Sequence, residues 1–201
     1  MTTTNKNDSS NVSYGKPKKV GAVYYAPVGT TLPTKVTEEL NAAFKCVGYI
    51  SEDGIKNSDK ISSDHVSAWG GDAVLYTQGE HEDTFELTMI EATNADTLKS
   101  VYGRENVSVD TDGTITVRSN SADRPEYTWV YDFLLKNGGA KRIVVPDAKI
   151  TDMGEITYND SDPIGYDCTF SALPYSEYDG DTHREYIVKG TTTATTASSN
   201  S

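Results

Sequence analysis

The sequence is poor in the residues that most often carry chemistry. Its 201 residues include two cysteines and three histidines. Cys46 and Cys168 stand far apart, fit no C-x-x-C spacing and build no disulfide framework, so small core residues are their expected role. His65, His81 and His183 show no metal-ligand spacing, and "GEHED" lacks the second histidine with which H-E-x-x-H holds zinc on a helix face. The phosphate-cradling G-x-x-x-x-G-K, the dinucleotide fingerprint G-x-G-x-x-G and the nucleophile elbow G-x-S-x-G are all missing. The acid pairs Asp160/Asp162 and Asp179/Asp181 sit in the polar turns "NDSDP" and "YDGDT", where solvated carboxylates are the common case. The expectation is a protein with no catalytic residues, no cofactor and no metal site. A hydrolase using paired acids would need two of them to converge in a cleft.

Long apolar runs are missing too. No stretch approaches the ~20 apolar residues of a membrane span, and the N-terminus lacks the apolar core of a signal peptide. This reads as a soluble protein kept in the cytoplasm where it is made. Positive charge is scarce, with 18 Lys and Arg against 30 Asp and Glu and a formal net charge of −12. That excludes a general nucleic-acid binder, whose footprint is a basic patch. The imbalance is uneven: residues 147–185 hold ten acids against Lys149 and Arg184.

The hydrophobic fraction is 36% and the mean hydropathy −0.54, in part because both ends are polar. "MTTTNKNDSSNVSYGKP" (1–17) and the Thr/Ser-rich 190–201 lack the periodic apolar residues that offset the entropy of ordering a chain. The reading is one β domain over 18–189 between two flexible tails.

Within that domain, alternation with period two dominates. Phe85, Leu87 and Met89 point one way in "TFELTMI" while Thr84, Glu86 and Thr88 point the other. Tyr127, Trp129, Tyr131, Phe133 and Leu135 share a face, as do Ile164, Tyr166, Cys168, Phe170 and Ala172. Shorter candidates are "VGAVYYAPV", "DAVLYTQ", "TITVR", "KRIVVP", "GEITY" and "REYIV". "KNGGAK" is a hairpin signal in which Gly138 and Gly139 tolerate positive φ. "DTDGT" reads as a turn, because the terminal glutamate of a calcium loop does not follow. Residues 51–71 read as an extended hairpin or a long loop, a length that often carries function.

One helix stands out. Asn94 (or Thr93) is a good N-cap and Asp96 falls in the first turn, where the helix dipole favours negative charge. Ala95, Leu98, Val101 and Tyr102 form a stripe, and Gly103 is placed to end the helix. Two turns are marginal alone in water, so the stripe must pack, and the outer face of a sheet is its expected seat. "TEELNAAF" (37–44) is a weaker helix candidate.

"GYISEDGI", "AWGGDAVLYTQGEHEDTFELTMIEATNADTLKSVYG", "LLKNGGAKRIVVPDAKIT" and "GEITYNDSDPIGYDCTFSALPY", followed by the Thr/Ser-rich tail, form an ordered set. In that set the sequence resembles the major tail (tail-tube) proteins of long-tailed, non-contractile bacteriophages, over most of residues 18–190. The resemblance implies a β-sandwich or partly closed barrel flanked by one short helix, like the tube protein of type VI secretion. It implies hexameric rings stacked into a tube that conducts the genome, and a place in the virion tail after assembly in the host cytoplasm. Implied partners are further copies of the chain and the tape-measure, tail-tip and tail-terminator proteins, with DNA passing through unbound and no membrane involved. It implies no catalytic residues. On such a tube wall, acids would discourage DNA from sticking, and Glu86, Asp132, Asp152, Glu155 and Asp167 are the candidates for facing the lumen. Joints between rings are expected from 51–71 and the two tails. The alternative is a carbohydrate- or receptor-binding β-sandwich, a virion decoration protein or an adhesin. Exposed tryptophans would favour it, and only Trp69 looks free for that role.

Overall fold

A computed structural model describes residues 6–191. The expectations for tail residues 1–5 and 192–201 lie outside that range. The described residues form eleven strands and one α-helix. The first strands are β1 (Lys16–Pro17), β2 (Val23–Pro27), β3 (Lys45–Cys46), β4 (Ile50–Ser67) and β5 (Ala73–Met89). The helix α1 (Ala95–Tyr102) follows, then the small hairpin of β6 (Val107–Val109) and β7 (Ile115–Val117). The chain continues through β8 (Glu126–Leu134), β9 (Ala140–Met153), β10 (Tyr166–Ala172) and β11 (Arg184–Val188).

Nine strands make one open antiparallel sheet in the order β3-β2-β8-β9-β10-β5-β4, with β1 beside β8 and β11 beside β9. The strand β9 belongs to two ladders along one edge. Its first half pairs with β11 (Val144↔Arg184) and its second half with β10 (Ala148↔Ala172). Between the halves stands Pro146, which has no N–H to give to a ladder and is tolerated in a central strand only at a bulge. Tyr127↔Ala148 and Trp129↔Val145 bracket that bulge, with one residue of β8 opposite two of β9. The Thr128 hydroxyl donates to the Pro146 carbonyl at 2.6 Å, and the Leu173 N–H donates to the Asp147 carbonyl at 2.9 Å. The backbone groups around the bulge thus keep partners.

The sheet curls at this point. Phe85 on β5 and Tyr131 on β8 lie three strands apart, about 14 Å across a flat sheet, yet their ring centroids are 5.2 Å apart. Trp129 meets Phe170 edge-on at 4.4 Å and Tyr25 at 5.7 Å. This aromatic cluster, with Leu87, Met89, Cys168 and Val145, is the main core. The alternation read from "TFELTMI", "YTWVYDFLL" and "IGYDCTFSA" matches it, since Phe85, Trp129, Tyr131, Cys168 and Phe170 are fully buried.

The helix forms as its end signals predict. Asn94 Oδ1 accepts from the Asp96 N–H at 2.9 Å, and Gly103 closes the last turn at φ +92°, a conformation other residues avoid. Its apolar stripe packs on the sheet, with Leu98 and Val101 in the central core. Thr97 and Ser100 are buried as well, with the Thr97 hydroxyl donating to the Val47 carbonyl at 2.6 Å. The helix thus plugs the concave side of the curled sheet and leaves the convex face of β9-β10-β5-β4 clear.

Several expectations give way. "TEELNAAF" is not a helix; it belongs to an irregular segment, 28–44, whose Leu32, Leu40, Ala43 and Phe44 cover Val130 and Val144 on the second face of β8 and β9. "GEITY" follows the end of β9 without forming a strand. At the β8–β9 turn, Asn137 and Gly138 take positive φ, not Gly139. The "DTDGT" turn joins β6 to β7 as expected, and of the two readings of 51–71 the extended hairpin holds, formed by β4 with β5. Cys46 and Cys168 are free thiols, and burial pushes the Cys168 thiol up to about 12.

Two substitutions measure these contributions in urea titrations. Trp129→Ala, which empties the aromatic centre, should cost about 3–5 kcal/mol. Asn94→Ala, which removes only the helix cap, should cost about 1 kcal/mol.

Candidate functional site

Cross-strand registers place the polar halves of four strands on the convex face. Thr169 is opposite Glu86 on one side and Asp152 on the other, and Glu86 is opposite Lys56. Those residues form one row across β4, β5, β10 and β9. A second row runs Ser58, Thr84, Ser171, Lys149, and Asp167 pairs with Thr88 in a third. None of these side chains is buried. Hydroxyls hold the rows together: Thr88 donates to Asp167 Oδ1 at 3.2 Å, and the Thr151 and Ser171 hydroxyls are hydrogen-bonded to each other at 2.9 Å.

Of the five candidate acids, Glu86, Asp152 and Asp167 lie on this polar face. The face is less acidic than a tally along the chain implies, because Lys56 Nζ sits 2.8 Å from Glu86 Oε1 and Lys149 lies in the next row. Glu155 is exposed but lies beyond the end of β9, where no register fixes its direction. Of the remaining acids of 147–185, Asp147 lies in β9 and the others disperse over the 159–163 loop, the turn at 176–181 and β11.

Asp132 is a correction. Alternation turns it away from the aromatic core, but that side of β8 is covered too, and Asp132 is 2% exposed. Arg142 Nε and Nη2 donate to its two oxygens at 2.6 and 2.8 Å, and Lys18 Nζ lies 2.8 Å from Oδ2. Arg142 Nη1 then donates to the carbonyls of Lys35 and Glu38, stapling the 28–44 segment to the sheet. Burial penalises the Asp132 charge, yet the hydrogen bonds from Arg142 and Lys18 outweigh that and hold its carboxyl below the ordinary range. Asp132 is therefore a structural anchor, not a wall charge.

The second feature is a ribbon. From Asp59 on β4 and Glu82 on β5 outward, both strands are exposed on both faces. Nine residues of β4 and ten of β5 make an arm about 30 Å long. Its stem is polar, with Lys60 near Glu82 and His81 bonded to Asp59. Its tip carries Val66, Leu75, Tyr76 and Trp69, all more than half exposed, and the turn uses Gly70 and Gly71 at positive φ. A two-stranded ribbon with no covering layer is marginal in water, and such apolar exposure marks a contact surface. Read alone, "DAVLYTQ" looked like a half-buried strand. The signal against that reading was its consecutive Val74-Leu75-Tyr76, which no one-sided strand needs.

Two free edges bound the block of strands under the polar face. The strand β4 pairs only with β5, and β9 beyond Lys149 has no partner on its β8 side, because that ladder ends at Glu126↔Lys149. Among the described residues no cluster of His, Cys, Asp and Glu has metal-site geometry, and no helix is long and apolar enough to cross a membrane.

The Asp132 anchor has a measurable pH signature. Its folded pKa is depressed, so its contribution is present above the unfolded carboxyl value and is lost as pH falls through the lower folded value. Asp132→Ala, which strands the buried Arg142 charge, should cost about 3–5 kcal/mol at neutral pH. Urea titrations from pH 7 down to acid should show the variant and the wild type converging.

An uncovered polar face, two free edges and an unsupported arm describe a subunit completed by other subunits. A family model described as phage tail tube protein matches residues 10–198. No curated protein matches the chain. The chain belongs to the phage tail tube protein family, structural and non-enzymatic proteins of the virion tail that assemble with themselves into the tube.

Proposed function

We propose that six copies join head-to-tail into a ring, that rings stack into the tail tube, and that the convex face of β9-β10-β5-β4 lines its channel for genome delivery. The observation that carries this reading is the pair of free edges on a block of four antiparallel strands. Because four is even, β4 of one subunit runs antiparallel to β9 of the next, so every seam repeats the ladder pattern found inside the subunit. A head-to-tail contact of this kind closes when its rotation divides the circle, and closure removes the exposed edges.

The dimensions agree with a DNA conduit. Twenty-four strands spaced about 4.8 Å apart give a backbone ring roughly 37 Å across before strand tilt widens it. Its wall would be Thr- and Ser-rich with a small excess of acid, and so would lack the cationic groups that hold DNA by counterion release. The arm reaches past the body and is suited to the joint between rings. The tape-measure, tail-tip and terminator proteins are the expected further partners, with assembly in the host cytoplasm. Trp69 at the arm tip is the one feature that suits glycan or receptor binding, but Val66, Leu75 and Tyr76 beside it suit a protein surface better.

Negative-stain electron microscopy across a concentration series, with light scattering for mass, should show rings or hollow tubes. A monodisperse monomer both alone and with tail-tip complexes added would overturn the reading. Replacing Glu86, Asp152 and Asp167 together by Lys should leave tubes intact and slow genome ejection. Unchanged infectivity would remove that face from the channel.

A further inference from the structure

Where the arm leaves the body, a single carboxylate is sealed in. Asp83, the first residue of β5 to enter the core, is 2% exposed. Three groups grip it: Asn57 Nδ2 of β4 donates to Oδ1 at 2.8 Å, and the Thr182 hydroxyl and His183 Nδ1 each reach Oδ2 at 2.6 Å. One donor thus comes from the partner strand of the arm, and two come from the residues just before β11. The His183 ring also packs edge-on against Phe85, centroids 5.4 Å apart, which fixes its plane. One step outward, His81 Nε2 meets Asp59 Oδ1 at 2.7 Å across the two arm strands.

We propose that Asp83 and His183 form a latch that sets the direction of the arm relative to the body, and that the latch is closed when His183 is protonated and loosened when it is neutral. This rests on the reading of the arm as the joint between rings. A ribbon of two strands has no sheet neighbours to fix its angle, so the angle must be set at its root. Among the described residues, the Asp83 side chain links both arm strands to a third segment. The charged groups facing His183 are Asp83 from β5, Asp59 from β4 and Glu185 from β11, and the nearby Tyr131 hydroxyl of β8 is neutral. All three charges are negative, and Glu185 is partly answered by Lys141 at 2.6 Å.

The hydrogen bond to Asp83 outweighs the burial of the ring and raises the His183 pKa above its ordinary value. Neutral His183 can still donate from Nδ1, but Asp83 is then left as a buried charge without a counterion, which is costly. The latch is therefore fully closed below the unfolded histidine value and opens as pH rises through the raised folded value. Hydrogen bonds hold Asp83 below the usual carboxylate range against its burial, so acid opens the latch only under stronger acidity.

The test compares wild type, His183→Asn, Asp83→Asn and an arm-less chain in which an Asn-Gly turn joins Ile61 to His81. Tube growth is followed by light scattering from pH 5.5 to 9, and hydrogen-exchange protection of the arm amides is measured in the free subunit. Wild type should lose arm protection and assemble several-fold more slowly as pH rises. His183→Asn, which keeps a neutral donor at the Nδ1 position, should sit at the slow level with no pH step of its own. Asp83→Asn should lower arm protection at every pH while the core amides of β8 and β9 stay protected, which separates a loosened arm from an unfolded chain. Equal pH steps in wild type and His183→Asn would overturn the latch. Normal tubes from the arm-less chain would instead overturn the reading of the arm on which the latch rests.

Discussion

Pro146 is the constraint on which the rest of the structure depends. A proline in the middle of a central strand withholds one ladder donor, and the chain answers with a bulge that the Thr128 hydroxyl and the Leu173 amide complete. The bulge divides β9 between β11 and β10 and lets a single sheet fold over on itself. From that curl follow the closed aromatic core, the seat for the short helix and the convex face that nothing covers.

The two sides of the curl carry different kinds of bond. The concave side is held by apolar packing, with Trp129 at its centre. The flanks are held by buried carboxylates, Asp132 gripped by Arg142 and Lys18, and Asp83 by Asn57, Thr182 and His183. Each carboxylate joins segments far apart in sequence. Each is also satisfied on both oxygens, as burial of a charge demands. The sheet face between these flanks carries only short hydroxyls and a few solvated charges, so it can change sign or shape with little effect on the core.

What local pattern dictates was legible in the sequence. The strand running into a helix at 83–103, the Asn94 cap and the Gly103 stop are decided by residues within a few positions of one another. The faces of β5, β8 and β10 follow from alternation. The failures share one cause: period two shows which side chains point together, but not whether a second layer arrives. Asp132 read as outward because nothing nearby in sequence announces that residues 28–44 return to cover it. "TEELNAAF" read as helical because its contacts with Val130 and Val144 are non-local. The arm left hairpin and loop both open because both of its faces are exposed, so neither shows a clean stripe. For the candidate face, Glu86 and Asp167 lie where alternation put them, whereas Asp152 is placed only by the β9–β10 register and Glu155 lies past the end of β9.

The arm also bears on the life of the subunit before it is built in. Val66, Trp69, Leu75 and Tyr76 present a sticky end to solvent on every free copy. Against this stands a net charge of −12, whose mutual repulsion reaches about 8 Å at physiological salt. The dissolved subunit is thus a colloid held between a short-range attraction and a slightly longer-range repulsion. Salt, by shortening that repulsion, brings the sticky ends within reach of one another.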